Sequence, residues 1–298
     1  MKKWTPRRAR RVSRSFVELA LLLTVAKGKI PVVYFDKLLN VGDAITPFLV
    51  RQLTGKDVYR VHSNSVVHLL GVGSIIHQAR SRSLVWGSGL IDPEWLPRRD
   101  ALKHARFVAL RGRLTQQLLA AKGADVSASV LGDPALIVPL LYQPSRSGRK
   151  FRIGLVPHYV DQDSPVVRYM AKLPGVRLID VRQQPEPFID ALNQCDSIIS
   201  SSLHGLILAD CYRIPNLWVR FSDGITGGQF KFQDYYSTTD APHTRVMPVA
   251  DRAAADACMS ALPEQAGVAQ YLGDPLQLAA AFPFSEFGWR HGDAWGQS

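Results

Sequence analysis

The sequence predicts an α/β protein of two doubly wound halves facing each other across a cleft. From residue 30 onward, short apolar runs alternate with amphipathic stretches, the pattern of strands that cross over through helices into parallel sheets. A wholly polar stretch at 143–150, Gln-Pro-Ser-Arg-Ser-Gly-Arg-Lys, divides that alternation into two series and reads as a surface linker. With 298 residues, 46% of them hydrophobic, the chain can bury a sizeable core in each half.

In the first half, the run at 30–34 is the opening strand and residues 43–53 the helix behind it. Residues 66–73, 84–87 and 107–110 follow as strands, each ending in Gly or Arg before a loop or helix. A helix at 113–122 is stopped by Gly123, and a strand at 129–131 is closed by Gly132-Asp-Pro134. The second half continues with strands at 153–156, 176–180, 197–200 and 216–219, separated by helices at 164–173, 187–193 and 206–212. From Asp251 on the pattern is helical, and at least one helix is expected to pack back across the halves. The boundaries that follow are 1–28 for a basic extension with an amphipathic helix, 29–146 and 147–250 for the two halves, and 251–298 for a helical tail.

The formal charge of +11 and a pI near 9.8 point to an anionic partner. Seven of the basic residues, Lys2, Lys3, Arg7, Arg8, Arg10, Arg11 and Arg14, fall in the first fourteen positions. Much of the excess therefore sits on a tail, and a nucleic-acid groove is not expected. The apolar run at 16–26 is shorter than the about 20 residues a bilayer span needs. Glu18 interrupts it and no small-x-small site follows, so it reads as an uncleaved amphipathic or core-packing helix. The basic tail either meets an anionic membrane surface or is a solvated end. Cys195, Cys211 and Cys258 show no C-x-x-C spacing, so neither a disulfide framework nor a zinc knuckle is expected, and a reducing compartment follows.

Ligands of open parallel sheets bind beyond the carboxyl ends of the strands, and the residues just after each strand carry the candidate chemistry. The sharpest segment is Ser200-Ser-Ser-Leu-His-Gly205, which leaves a strand and enters a helix. Free N–H groups and the helix dipole favour an anion there, with Ser200, Ser201 and Ser202 supplying hydroxyls. His204 suits a general acid or a phosphate clamp, and Gly205 admits close approach of a ligand or a strand. A helix cap with a satisfied histidine is the alternative. Asn40-Val-Gly-Asp43 follows the first strand; Asp43 there can orient or deprotonate a hydroxyl, with Asn40 and Gly42 shaping the loop, or the segment is a structural cap. Arg111, in Leu110-Arg-Gly-Arg-Leu-Thr115, presents a planar fork for phosphate or carboxylate, or makes a surface ion pair. His158 either faces the cleft beside His204 or has no role. Asp133 and Arg182 are expected to stabilise turns or to support the site.

There is no G-x-x-x-x-G-K-[ST], H-E-x-x-H or G-x-S-x-G. Nucleotide hydrolysis, zinc proteolysis and esterase chemistry thus lack support. Gly71-Val-Gly73 and Gly87-Ser-Gly89 lack the third glycine and downstream acid of a dinucleotide fingerprint.

Taken in order, these segments resemble the polysaccharide pyruvyl transferase family. The likeness runs from N-x-G-D at Asn40 through G-V-G-S, G-S-G, L-R-G at Arg111 and L-G-D-P at Asp133. It continues through Ile198-Ile-Ser-Ser-Ser-Leu-His-Gly-Leu206, Ala209-Asp-Cys-Tyr-Arg-Ile-Pro215 and Lys231-Phe-Gln-Asp-Tyr-Tyr-Ser237. It covers about residues 34–236, and the S-S-L-H-G block is its specific part. The resemblance implies two Rossmann-like domains in a glycosyltransferase-B-like arrangement, acceptor side first and donor side second. It implies phosphoenolpyruvate as donor, with no cofactor and no metal. The acceptor it implies is a sugar of a lipid-linked oligosaccharide or cell-surface polysaccharide, modified as a pyruvate ketal. His204 carries over as the key catalytic or donor-binding residue and Arg111 as an anion clamp, with Lys231 near the cleft. The residues agree chemically: the donor's phosphate and carboxylate call for Arg111, the Ser200 to Ser202 helix terminus and Lys231, while His204 acts as acid and Asp43 or His158 as base. A cytoplasmic location on the inner face of the plasma membrane follows as an expectation. The competing expectations are a nucleotide-sugar glycosyltransferase on the same scaffold and a non-catalytic membrane-associated scaffold of polysaccharide assembly.

Overall fold

The computed structural model describes residues 28–35, 39–62, 64–144, 148–241 and 245–288. The predicted basic extension and amphipathic helix lie outside the described residues, as does the middle of the 143–150 linker.

In the first half, β1 (Ile30–Val33), β2 (Val58–Arg60), β3 (His68–Leu70), β4 (Ser83–Trp86), β5 (Arg106–Leu110) and β6 (Val130–Leu131) form a parallel sheet in the order β2-β1-β3-β4-β5-β6. In the second, β7 (Phe151–Val156), β8 (Val176–Leu178), β9 (Cys195–Ser200), β10 (Asn216–Arg220) and β11 (Met247–Pro248) pair in the order β11-β10-β9-β7-β8, again parallel. The strands His68–Leu70 and Ser83–Trp86 are buried along their whole length, as strands covered on both faces must be.

The strand order reverses between β1 and β3 in one sheet and between β7 and β9 in the other. At such switch points the connecting chains diverge to opposite faces and leave a crevice beyond the strand ends. Among the described residues, the segments that leave these four strands are 34–35 with 39–43, 71–74, 157–160 and 201–204.

Helix α1 (Val41–Thr54) starts two residues earlier than its apolar spacing suggests, because the Asn40 carboxamide caps it by accepting from Gly42 N–H at 3.0 Å. The remaining helices are α2 (Arg99–His104), α3 (Arg113–Ala121), α4 (Val138–Leu141), α5 (Pro165–Met170), α6 (Pro185–Asn193), α7 (Leu203–Cys211), α8 (Phe230–Tyr236), α9 (Arg252–Gln265) and α10 (Pro275–Ala280). Helix α7 begins three residues before its expected start, which puts His204 and Gly205 in its first turn. The two halves share one hydrophobic core: Val41, Ile45 and Leu49 of α1 belong to the same buried cluster as Val156, Val181, Phe188, Leu192 and Leu206. Val41 N–H also donates to the Val181 carbonyl at 2.8 Å. The carboxyl-terminal segment returns to the first half, where Trp86 Nε1 donates to the Leu278 carbonyl at 2.9 Å.

Candidate functional site

All four switch-point segments meet in one cleft of about 370 Å³, to which Asn40, Gly42, Asp43, Ser74, His158, Ser202, His204 and Lys231 contribute. A second cavity, of about 490 Å³, lies alongside and shares Phe35, Asn40 and Asp43 with it. The smaller one is the candidate site, because the convergence of titratable groups, and not size, marks a reactive pocket.

His204 is held from two sides. Its Nε2 lies 3.6 Å from Oδ2 of Asp133, a fully buried carboxylate whose other oxygen accepts from Ala135 N–H at 3.0 Å. Among the described residues neither Nε2 nor Oδ2 has a hydrogen-bond partner, and at 3.6 Å the two face each other just outside hydrogen-bond range. On the opposite side the imidazole presses on Gly42, where an added Cβ would fall 2.1 Å from Nδ1. The glycine of the N-x-G-D segment is thus the space into which the histidine fits.

Three charges tune the cleft. Burial raises the Asp43 carboxyl to about 6, against the lowering influence of His204 and Lys231. Lys231 is only 8% exposed, and burial, reinforced by the Arg111 charge, lowers its ammonium to about 8. Burial and the Lys231 charge push His158 down to about 3, so its ring is neutral at working pH. Among the described residues the Lys231 ammonium, the Asp43 carboxylate and the Ser202 hydroxyl have no hydrogen-bond partner. A protonated lysine, a free hydroxyl and the N-terminus of α7 are groups that can receive an anion.

Four expected ligand contacts are corrected. Arg111 is fully buried: its Nε donates to Asp234 Oδ2 at 2.9 Å, Nη1 to Ser74 Oγ at 2.6 Å and Nη2 to the Leu90 carbonyl at 2.6 Å. Asp234 in turn accepts from Thr115 N–H at 2.8 Å and from Thr115 Oγ1 at 2.7 Å. Arg111 therefore anchors α8, the helix that carries Lys231, and steadies Ser74 in the cleft wall; it is not an anion clamp. The Ser200 hydroxyl accepts from Ser202 N–H at 3.0 Å and shapes the turn. The Ser201 hydroxyl accepts from His158 N–H at 2.8 Å and donates to Asp161 at 3.2 Å, so it fixes the His158 loop. Gly205 admits a strand and no ligand: a Cβ there would lie 2.5 Å from Ser200 Oγ and 2.8 Å from Val156 Cγ1. Asn40 is a helix cap that also lines the cleft.

Sequence reasoning missed His77, Gln78, Trp95, Tyr159 and Thr226, which also line the cleft. Trp95 carried a signal, since a tryptophan in the turn-rich segment Asp92-Pro-Glu-Trp-Leu-Pro97 has little core to enter. Among the described residues no helix is long and apolar enough to cross a membrane, and no three or more His, Cys, Asp or Glu side chains cluster as a metal site.

The fold and cleft define an α/β protein with a cleft at the strand ends of two parallel-sheet halves. Residues 40–223 match the polysaccharide pyruvyl transferase family, and the chain belongs to that family. It is 31% identical over 225 residues to an uncharacterised protein, L143, of Acanthamoeba polyphaga mimivirus, across 72% of this chain and 76% of the viral protein. It is 29% identical over 192 residues to the succinoglycan biosynthesis protein ExoV of Rhizobium meliloti, across 63% of this chain and 58% of ExoV. A crystal structure of an uncharacterised Klebsiella pneumoniae protein aligns with a TM-score of 0.44 at 13% identity, over 78% of this chain and 98% of that one.

Proposed function

We propose that the protein transfers the enolpyruvyl group of phosphoenolpyruvate to a sugar of a bacterial exopolysaccharide or cell-surface repeat unit, forming a pyruvate ketal. The two halves would act in a glycosyltransferase-B-like arrangement. The observation that carries the reading is the Lys231 ammonium, buried without a hydrogen-bond partner among the described residues in the cleft that His204 and the α7 N-terminus also line. A small dianion with a phosphate and a carboxylate matches that combination.

The chemistry follows from the charges. His204 delivers a proton to the donor's methylene carbon, leaving C2 electrophilic, and Asp133 orients the imidazole for that transfer. A sugar hydroxyl adds to C2 and gives its proton to a base. A second hydroxyl then displaces phosphate and closes the ketal. One hydroxyl proton restores the acid and the other leaves with the phosphate, so protons balance. Asp43 suits the base role better than His158: a carboxylate near 6 is ionised at neutral pH yet basic enough to help, whereas an imidazole near 3 binds a proton too weakly. Lys231 and Ser202 hold the phosphate or carboxylate as charge shifts onto it.

The test is a pair of measurements on the purified chain. Phosphoenolpyruvate should raise the melting temperature and UDP-glucose should not. His204→Ala should keep the melting temperature while phosphate release in the presence of acceptor falls by about 10²- to 10⁴-fold. Stabilisation by the sugar nucleotide alone, or a fully active His204→Ala protein, would overturn the assignment.

A further inference from the structure

Among the described residues, two Phe, Tyr or Trp side chains stand exposed, Trp95 at 49% and Tyr159 at 37%, and both line this one cleft. They come from opposite halves, Trp95 from the loop after β4 and Tyr159 from the loop after β7. Val160, 44% exposed, adjoins them. Apolar surface that folding leaves in water and gathers at the mouth of a pocket marks a place where something binds.

Both rings are held in place. The Trp95 loop is closed by Trp95 N–H donating to the Asp92 carbonyl at 3.1 Å and by Glu94 N–H donating to Asp92 Oδ1 at 2.9 Å. The His77 imidazole meets the indole edge-on, with centroids 5.4 Å apart and an interplanar angle of 80°. Tyr159 lies over His158 at 4.4 Å and 33°. The two halves are also seated together at this mouth: Gly227, at φ +75°, is so close to Ile91 that a Cβ would fall 1.9 Å from its carbonyl oxygen. Only glycine fits there, and the neighbouring Thr226 is thereby placed in the cleft wall.

The polar neighbours at this mouth, Gln78 and Thr226, are neutral, while the charged Asp43 and Lys231 belong to the more buried part of the cleft. A doubly charged three-carbon donor has no use for exposed aromatic faces. A pyranose does: its C–H face packs on an aromatic ring, and its hydroxyls take neutral hydrogen-bonding groups.

We infer that Trp95 and Tyr159 form a carbohydrate subsite on which a pyranose ring of the acceptor stacks with its reacting hydroxyls toward Asp43. This rests on the function proposed above and names where its second substrate binds. The test titrates aryl β-glucosides and aryl β-galactosides into the full chain by saturation-transfer NMR, with the phosphoenolpyruvate-induced melting shift as a separate arm. Trp95→Ala and Tyr159→Ala should each weaken sugar binding, Trp95→Ala by about tenfold or more, and Trp95→Phe should retain most of it. The phosphoenolpyruvate shift should be the same in all of them. Unchanged sugar binding in Trp95→Ala, no sugar binding by the wild-type chain, or displacement of the sugar by UMP with UMP itself losing affinity in Trp95→Ala would each overturn the inference. Sugar binding that depends on Trp95 in a protein that phosphoenolpyruvate does not stabilise would uphold the subsite and sink the donor reading.

Discussion

Replacing Lys231 by Met should yield a protein that is more stable and no longer responds to phosphoenolpyruvate. The side chain is 8% exposed, and its ammonium is lowered from 10.5 to about 8 by burial and then by Arg111. That difference corresponds to about 3 kcal/mol of unfavourable free energy carried by the charged folded state at neutral pH. Methionine keeps the aliphatic stem but forfeits the contact with the Phe232 ring, 5.5 Å from the ammonium, worth about 0.5–1 kcal/mol; the attraction to Asp43 is already contained in the lowered value. A net gain of roughly 2 kcal/mol remains. The sign can be checked against pH. Between about 8 and 10.5 the unfolded chain binds more protons than the folded one, so wild-type stability rises across that window. The advantage of Lys231→Met should therefore be full at neutral pH and gone above the upper limit. Urea denaturation at the two ends of the window measures this, and melting curves with phosphoenolpyruvate measure the lost response. A variant less stable than wild type at neutral pH, or one whose difference ignores pH, would refute the assignment of Lys231 as an unsatisfied cation awaiting an anion.

Gly42→Ala should cost about 10²-fold in kcat through a displaced His204 ring, while the helix that carries the substitution gains about 0.5–1 kcal/mol of intrinsic propensity; kinetics and a denaturation curve on one preparation separate the two. Asp234→Ala strands the buried Arg111 and should destabilise the protein by about 3–5 kcal/mol, read as a lowered urea midpoint, whereas a ligand-clamping Arg111 would have given an activity loss with little change in stability. The kcat/KM profile should fall as pH drops through about 6, where Asp43 takes up a proton, and Asp43→Asn should leave a low, flat residual rate across that limb.

Nine of the eleven strands among the described residues were legible because parallel strands buried on both faces announce themselves as apolar runs; β2 and β11, at the sheet edges and only half-buried or exposed, carry no such run and were missed, as were the short helices α2 and α4. Asp43, His158 and His204 could be picked out for a topological reason: each follows a strand that flanks a switch point, where the fold opens toward ligand whatever the sequence. Arg111 also follows a strand, but β5 lies away from the switch point, and its partner Asp234 is 123 residues further on. No local pattern reports such a pairing. The Ser200 to Ser202 run reads as three equivalent hydroxyls, yet only Ser202 reaches the cleft, because the turn into α7 consumes the other two. Helix α8 was missed since its residues, Phe230 to Tyr236, are aromatic-rich and poor in strong helix formers; packing on the buried Arg111–Asp234 pair and on Trp218 settles it instead. The Trp95 and Tyr159 pair joins loops from different halves and has no signature in either alone.

If the cleft around His204 places a ketal on a surface polysaccharide, mass spectrometry of that polysaccharide will register the added mass. Cells lacking the gene should produce repeats lighter by one pyruvate less one water. The wild-type chain should restore that mass and His204→Ala should not. Repeats of identical mass with and without the gene, or full restoration by His204→Ala, would contradict the account.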